Sequence, residues 1–217
     1  EQNDVPLLLG FAQDEALGGF GAITGLADYR ARAATRFGDR AAAFLDLYPA
    51  SNDAAARTQA RLADRDETMV TAMKTWALAQ SAHGRAPIYS YMFAHPHRYA
   101  PGALLSDLDP ATARSYHTSE VPFWLGSLDS FNRYRTTRAW TAADRAFSGD
   151  MTDALVAFAR SGKPDTATLR WPLFDAKNPQ LLKLGTVGAS EAWPSEARLA
   201  FFRQAPARTG PAGAMRD

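Results

Sequence analysis

The sequence predicts an α/β protein, and two observations indicate this class. First, short and continuous apolar runs at Val5–Leu9 and Pro87–Ala94 are typical of strands buried on both faces of a parallel sheet. Second, segments with the apolar spacing of helices lie between these runs and after them, so that strands and helices alternate along the chain. Such alternation predicts a mostly parallel sheet covered by helices.

Helices are expected in the long segment between the two strands. A Gly-rich connection comes first, and helical patterns then cover Leu26–Phe37 and Asp39–Leu47, with Asp39 as the N-cap of the second helix. The segment Asn52–Ser81 predicts one or two further helices. Its larger apolar residues fall at helical spacing and are expected to pack in the core; they include Met69, Val70, Met73 and Trp76.

The second half of the chain continues the alternation. A loop rich in Pro and Asp spans His95–Ser115, and a long helix is predicted over Thr141–Arg160, ended by a Gly near its C-cap. A short strand and a final helix follow, at Leu181–Leu184 and Pro194–Phe202. The Gly/Pro/Ala-rich residues at the end predict a flexible tail, so the expected organisation is one domain over 1–205 and a tail over 206–217.

Composition excludes several classes of function. The 217 residues are 46% hydrophobic, which is enough for one domain with a sizeable core. The 24 basic and 23 acidic residues give a net charge of +1, which indicates neither nucleic acid nor a membrane as partner. The chain has no cysteine, so disulfides, thiolate catalysis and Cys-ligated zinc are excluded.

One histidine and one acid stand out as candidate catalytic residues. Hydrolases that transfer acyl groups need a nucleophile, a base that takes its proton, and an acid that orients the base. Glu15 follows the first predicted strand and His117 lies beyond the second, which is the order and the placement of acid and base in an α/β-hydrolase. Asp14 remains a competing carboxylate for the acid.

The nucleophile of such a triad is absent from the sequence. No G-x-S-x-G motif occurs in the chain. Ser119 lies two residues after His117, where the two side chains would not normally converge, and we do not predict it as a nucleophile. The chain therefore encodes a base and its acid without the serine that they would serve.

Five segments in order resemble the C-terminal part of a type B carboxylesterase, the group that includes bacterial para-nitrobenzyl-esterase-like enzymes and cholinesterases. They are an acid motif, an aromatic strand, the histidine motif, a helix end and a W-P-x-F segment, at Gln13–Ala16, Tyr89–Phe93, His117–Gly126, Leu155–Pro164 and Trp171–Phe174. Three positions depart from the family pattern: Gln13 stands where Asn is usual, Ala16 where Gly is usual, and Thr118 where Gly or Ala is common.

The resemblance implies the C-terminal portion of an α/β-hydrolase fold, with an incomplete sheet of few strands and many helices. It implies hydrolysis of a small carboxylic ester without a cofactor, with His117 as general base and Glu15 as the acid that holds it. Glu120 would brace the loop and Trp124 would line an acyl or alcohol pocket, although packing is the competing role for this tryptophan. The serine and the oxyanion hole would come from the N-terminal part of the same esterase domain, so this chain alone is expected to be inactive.

Other functions stay open at this point. The chain could be a non-catalytic cholinesterase-like binding module or an inactive truncated remnant. His95 and His97 form a pair that lacks the further ligands of a zinc site, and no metal is predicted. Localisation is undecided between cytoplasmic and exported in a bacterium. A parallel sheet that ends at an apolar strand would expose its edge, so the isolated chain is expected to be marginally folded, to aggregate or to dimerise.

Overall fold

A four-stranded mixed sheet forms the centre of the described structure. The computed structural model describes residues 3–15, 17–105, 109–110 and 113–204. Within them the strands are β1 (Leu7–Ala12), β2 (Ile88–Phe93), β3 (Gln180–Leu184) and β4 (Ala189–Ala192), and they lie side by side in that order. The pairs β1–β2 and β2–β3 are parallel and β3–β4 is antiparallel. The predicted α/β class is confirmed.

The connection between β1 and β2 is helical over most of its length. It contains α1 (Leu26–Phe37), α2 (Ala41–Leu47), α3 (Asp53–Arg65) and α4 (Thr71–His83). A 3₁₀ turn over Gly38–Arg40 precedes α2, and a π-helical turn over Asp66–Val70 joins α3 to α4. Asn52 caps α3, since its side-chain oxygen accepts a hydrogen bond from the N–H of Ala55.

The connection between β2 and β3 carries α5 (Val121–Trp124), a 3₁₀ turn over Leu128–Asn132 and α6 (Ala142–Ser161); α7 (Glu196–Arg203) follows β4. Thr141 and Asp144 form a capping box at the start of α6, in which each side chain accepts a hydrogen bond from the other's backbone N–H. Gly162 ends α6 with a φ of 71°, a conformation that favours glycine.

The two faces of the sheet pack against different helices because side chains alternate along each strand. Tyr89 and Phe93 of β2 pack with Phe147 and Met151 of α6 on one face. Ile88 and Met92 of β2 pack on the other face with a cluster that includes Val70, Ala77 and Leu199. A third cluster, rich in aromatic residues, joins α1, α2 and α3 to α7; its largest members are Phe20, Tyr29, Phe44, Tyr48, Phe201 and Phe202.

Several boundaries differ from the sequence prediction. The first strand begins two residues later than expected, with Val5 56% exposed, and it continues through Gly10 to Ala12. Gly10 lies inside the strand, where it pairs with Tyr91 of β2, and a Cβ atom at this position would come within 2.5 Å of the Tyr91 ring. Asp39 lies inside the 3₁₀ turn and caps no helix.

Two further expectations were wrong or incomplete. Trp76 is 50% exposed, so the predicted core packing holds for Met69 and Val70 of the π-helical turn and for Met73 of α4 but not for this residue. Strand β4 was not predicted, because the short and mostly exposed sequence Ala189–Ala192 lacks the apolar alternation of a half-buried strand.

The predicted tail over 206–217 lies outside the described residues. None of the helices in the described part is long and apolar enough to cross a membrane.

Candidate active site

Two loops meet at the carboxyl ends of β1 and β2. Beyond the strands, the N–H of Gln13 donates to the carbonyl of Phe93 at 2.8 Å. One residue later Asp14 and Ser115 exchange two hydrogen bonds: the Asp14 N–H donates to the Ser115 carbonyl at 2.9 Å, and the Ser115 N–H donates to Asp14 Oδ2 at 3.0 Å. These bonds hold the loop after β1 beside the loop that carries His117.

Glu15 and His117 are in direct contact. Glu15 Oε2 lies 2.8 Å from His117 Nδ1, and Glu15 Oε1 accepts a hydrogen bond from the N–H of Ala12 at 3.0 Å. Glu15 is buried, whereas the side chain of His117 is 45% exposed. Both carboxylate oxygens are thus engaged, and no described residue bonds the second ring nitrogen of His117, Nε2. That nitrogen is the one that takes a proton from the nucleophile in a serine-hydrolase triad.

Asp14, the competing carboxylate, has a different partner. Its Oδ2 accepts from the backbone of Ser115, and it makes no hydrogen bond or ion pair with His117. Its contacts connect the two loops. Of the two neighbouring acids, Glu15 is therefore the one whose position fits the orientation of His117.

A tight turn presents His117. The N–H of Ser119 donates to the carbonyl of Tyr116 at 2.9 Å, and the N–H of Val121 donates to the carbonyl of Thr118 at 3.1 Å. Thr118 has a φ of 69° and is the one non-glycine residue with positive φ in the described part of the chain. A β-branched side chain is strained in this conformation, so the turn next to His117 stores backbone strain.

A buried network lies beneath this turn. His97 Nε2 lies 2.8 Å from the carbonyl oxygen of Ser119, and Arg138 Nε donates to His97 Nδ1 at 3.1 Å. Burial lowers the pKa of His97 to about 4, so the imidazole is neutral near pH 7 and its Nε2–H donates to Ser119. Arg138 also donates to the hydroxyl of Tyr116 at 3.1 Å. His97 therefore holds the backbone after His117, and Arg138 holds the side chain of Tyr116 before it.

The sequence did not predict this network. His97 was considered there only as half of a metal pair with His95, and Arg138 was not singled out. His95 belongs to a separate network, in which its Nε2 lies 2.7 Å from Asp144 Oδ1. Among the described residues, no group of three or more His, Cys, Asp and Glu side chains could hold a metal ion. A β-bridge between Tyr99 and Arg138 brings Arg138 beside His97, and the start of α6 brings Asp144 to His95.

Glu120 and Trp124 lie close to the pair. Burial and the nearby Glu15 carboxylate raise the pKa of Glu120, and its buried Oε2 has no hydrogen-bond partner among the described residues. The Glu120 carbonyl accepts from the N–H groups of Phe123 and Trp124, both at 3.0 Å, so this residue starts α5. Trp124 is 9% exposed, and its ring centroid lies 5.3 Å from that of Tyr91. Most of its indole is therefore occupied by packing.

Ser119 is completely buried, and its carbonyl rather than its hydroxyl contacts His97. Its Oγ has no hydrogen-bond partner among the described residues and does not bond His117. The position of this hydroxyl fits the sequence interpretation, which did not assign Ser119 as a nucleophile.

Comparison with known proteins gives a family and a fold. A family model described as the carboxylesterase family matches residues 1–202. The chain is 29% identical over 129 residues to para-nitrobenzyl esterase of Bacillus subtilis strain 168, covering 58% of this chain and 24% of that protein. It is 29% identical over 168 residues to fumonisin B1 esterase of Sphingopyxis macrogoltabida, covering 76% of this chain and 29% of that protein. The chain thus spans roughly a quarter of the length of these curated relatives.

Solved structures show the same fold. A structure of PNB esterase matches with a TM-score of 0.62 and 23% identity, covering 91% of this chain and 38% of the other. A thermophilic PNB esterase matches with a TM-score of 0.61 and 22% identity, at the same coverage. The described sheet and helices correspond to a part of the α/β-hydrolase fold.

Proposed function

Because this chain belongs to the carboxylesterase family, we propose that it supplies the acid and the base of a Ser-His-Glu triad that hydrolyses carboxylic esters. Glu15 is the acid and His117 is the base. The observation that carries the proposal is the 2.8 Å contact between Glu15 Oε2 and His117 Nδ1, which leaves Nε2 for the nucleophile.

In the proposed reaction, a serine hydroxyl attacks the ester carbonyl and gives its proton to His117 Nε2. The resulting imidazolium is stabilised by Glu15 and then donates the proton to the leaving alcohol, which completes acylation of the serine. Water attacks the acyl-enzyme in the second half of the reaction, again with His117 as base. The products are the carboxylic acid, the alcohol and the free serine.

The surroundings of Glu15 suit this role. A buried carboxylate interacts more strongly with an imidazolium than an exposed one, because little water screens the charges. The hydrogen bond from the Ala12 N–H holds the carboxylate in place, so that it keeps the Nδ1 proton of His117 and orients the ring. The exposed Nε2 edge of the ring would face the substrate.

The nucleophile and the oxyanion hole are proposed to come from the N-terminal part of the same esterase domain. The sequence of 217 residues contains no G-x-S-x-G, and a histidine with its acid catalyses no acyl transfer of this kind without the serine. The proposal therefore includes a partner segment and predicts that the chain alone is inactive. Glu120 braces the turn, and Trp124 contributes at most its exposed edge to a pocket.

The test is reconstitution of esterase activity. The chain is assayed alone and with a polypeptide that carries the upstream part of the domain, with para-nitrophenyl butyrate and a para-nitrobenzyl ester as substrates. We expect activity only in the combination, and His117→Ala should lower kcat about 10⁴-fold, as loss of a triad member does. His83→Ala, which removes an exposed histidine at the end of α4, is the matched control and should leave activity unchanged.

The acid is tested by a pair of neighbouring substitutions. Glu15→Gln should lower kcat by several orders of magnitude, because the amide no longer favours the required tautomer and charge of His117. Asp14→Asn should have a much smaller effect, since Asp14 contacts the backbone of Ser115. Full activity in His117→Ala, or a larger loss in Asp14→Asn than in Glu15→Gln, would refute the assignment.

A further inference from the structure

Lys74 has a buried side chain, and Glu196, an acid of the same cleft, acts on it only at a distance. Lys74 lies on α4, is 3% exposed and makes no hydrogen bond or ion pair with any described residue. Its Nζ lies 5.1 Å from the ring centroid of Trp193 and 5.5 Å from that of Phe174. Aromatic faces attract an ammonium group, and Nζ itself still reaches solvent in the cleft, where a ligand could bond it.

The lysine lines an open cleft of about 350 Å³, which falls in the size range of small-molecule sites. The walls are mostly apolar and come from Leu78, Pro179, Ala192, Trp193 and Pro194. Exposed polar residues complete the lining, namely Lys177, Asn178 and Glu196. The lining segments precede β3 and follow β4, so the cleft lies at the opposite end of the parallel strands from Glu15 and His117.

The charges around the cleft favour an anion. Two ammonium groups line it, from Lys74 and Lys177, against the single carboxylate of Glu196. Glu196 is engaged by Arg203 in an ion pair, so its carboxylate is not the hydrogen-bonded partner of Lys74. Burial lowers the pKa of Lys74, and the nearby Glu196 carboxylate acts in the opposite direction.

We propose that this cleft binds a small carboxylate with a short apolar body. The carboxylate would accept hydrogen bonds from the Lys74 ammonium, and the apolar body would lie against Trp193 and the two prolines. One ligand would then provide a hydrogen-bonded partner for the Lys74 ammonium and fill the apolar space next to it. This site does not depend on the esterase proposal, because neither His117 nor Glu15 contributes to it.

The experiment is a titration of the ¹⁵N-labelled 217-residue chain with hexanoate, observed by ¹H–¹⁵N NMR. The reporter is the indole Nε1–H of Trp193, which donates to Ser90 Oγ next to the cleft. Saturable shifts of this signal are expected with hexanoate. Hexanamide has the same body without the charge, and it should bind at least about tenfold more weakly, since it offers Lys74 no charged hydrogen-bond acceptor.

Two lysine variants locate the site. Lys74→Met keeps the volume and removes the charge, and it should abolish saturable binding of hexanoate. Lys183→Met is the matched control, because Lys183 already has an ion-pair partner in Glu191; it should bind hexanoate as the unmodified chain does. Glu196→Gln removes the carboxylate from the cleft and should tighten hexanoate binding.

The free energy of unfolding in urea distinguishes an anion-binding role of Lys74 from a purely structural role. If Lys74 serves mainly to hold Trp193 and Phe174, Lys74→Met lowers the free energy of unfolding and hexanoate does not bind. If Lys74 is an anion-binding group that is costly to bury, Lys74→Met is as stable as the original chain or more stable. Equal binding of hexanoate by Lys74→Met, or equal binding of hexanoate and hexanamide, would overturn the proposal.

Discussion

At the scale of single residues, the turn beside His117 combines two unfavourable features. Thr118 adopts a positive φ that a β-branched side chain resists, and Glu120 keeps a buried carboxylate oxygen without a hydrogen-bond partner among the described residues. Strain of this kind persists only where surrounding contacts enforce it. Here the bonds from His97 and Arg138 enforce it, so the position of His117 is maintained at a cost to local stability.

We predict that Thr118→Gly stabilises the chain. Glycine adopts a φ of 69° without strain, although it loses more backbone entropy on folding, so the net gain in the free energy of unfolding should be about 1 kcal/mol. Urea unfolding followed by circular dichroism measures it. Thr118→Ala retains the Cβ atom and should give no comparable gain; equal stabilisation by both substitutions would show that strain is not the cause.

At the scale of elements, the His117 loop depends on His97, which lies four residues beyond the end of β2. In neutral His97, Nδ1 accepts the hydrogen bond from Arg138 and Nε2–H donates to the Ser119 carbonyl. Protonation of Nδ1 would remove the acceptor for Arg138 and place two cations in contact inside the protein. The folded loop therefore favours the neutral form of His97.

This arrangement predicts acid sensitivity in a defined range. The folded-state pKa of His97 is lowered to about 4 from 6.5, so the unfolded chain binds the proton first as the pH falls. The stability contributed by neutral His97 is fully present above pH 6.5 and is lost below it, by up to about 1.4 kcal/mol per pH unit until about pH 4. Unfolding free energies measured between these limits should show this loss.

Variants attribute the loss to His97. His97→Gln keeps a neutral donor near Ser119 and should show a smaller fall in stability over the same pH range. The variant and the original chain must be compared over the same pH range, because Glu120 also titrates. Its pKa is raised in the folded chain, so its contribution to the free energy of unfolding rises as the pH falls. His83→Gln is the control at an exposed histidine and should follow the original chain. An identical pH dependence in His97→Gln would contradict the prediction.

At the scale of the whole molecule, one edge of the described sheet is an apolar strand. The N–H of Leu7 donates to the carbonyl of Pro87, and that of Gln13 donates to the carbonyl of Phe93. Because alternate N–H groups of a strand point to opposite sides, the N–H groups of Leu8 and Gly10 face away from β2. The outward N–H of Ala12 is taken by Glu15. A flat strand without charges is a ready site for pairing with another strand, and we propose that it is where the N-terminal part of the domain docks.

Hydrogen exchange tests this docking edge. In the chain alone, the amides of Leu8 and Gly10 should exchange faster than those of Leu9 and Phe11, which bond to β2. Addition of the upstream part of the domain should slow Leu8 and Gly10 selectively. Light scattering and thermal melting of the chain alone complete the test. If the chain is monomeric, melts cooperatively and exchanges slowly at all four amides, the edge needs no partner.

Features that local sequence specifies were predicted well, and features that depend on tertiary contacts were not. The helix over Leu26–Phe37 was predicted at its observed bounds, and β2 and α6 were predicted to within a residue or two, because local spacing and capping residues specify them. Strand β4 and the exposure of Trp76 were not predicted, since both depend on tertiary contacts with other elements. The sequence also selected Glu15 and His117, through motifs that lie at the ends of two strands.

By itself, the sequence determined the α/β class, the family, and the lack of a G-x-S-x-G serine in these residues, and it pointed to His117 with Glu15 or Asp14 as its acid. Only the tertiary structure distinguishes the contacts of the two acids, because a difference of one residue in a loop turns the Glu15 carboxylate towards His117 and that of Asp14 towards a backbone N–H. It alone brought His97 and Arg138 beneath the turn and placed Lys74 in a cleft. Contacts between residues far apart in the chain depend on how the elements pack, and a local sequence pattern does not specify that packing.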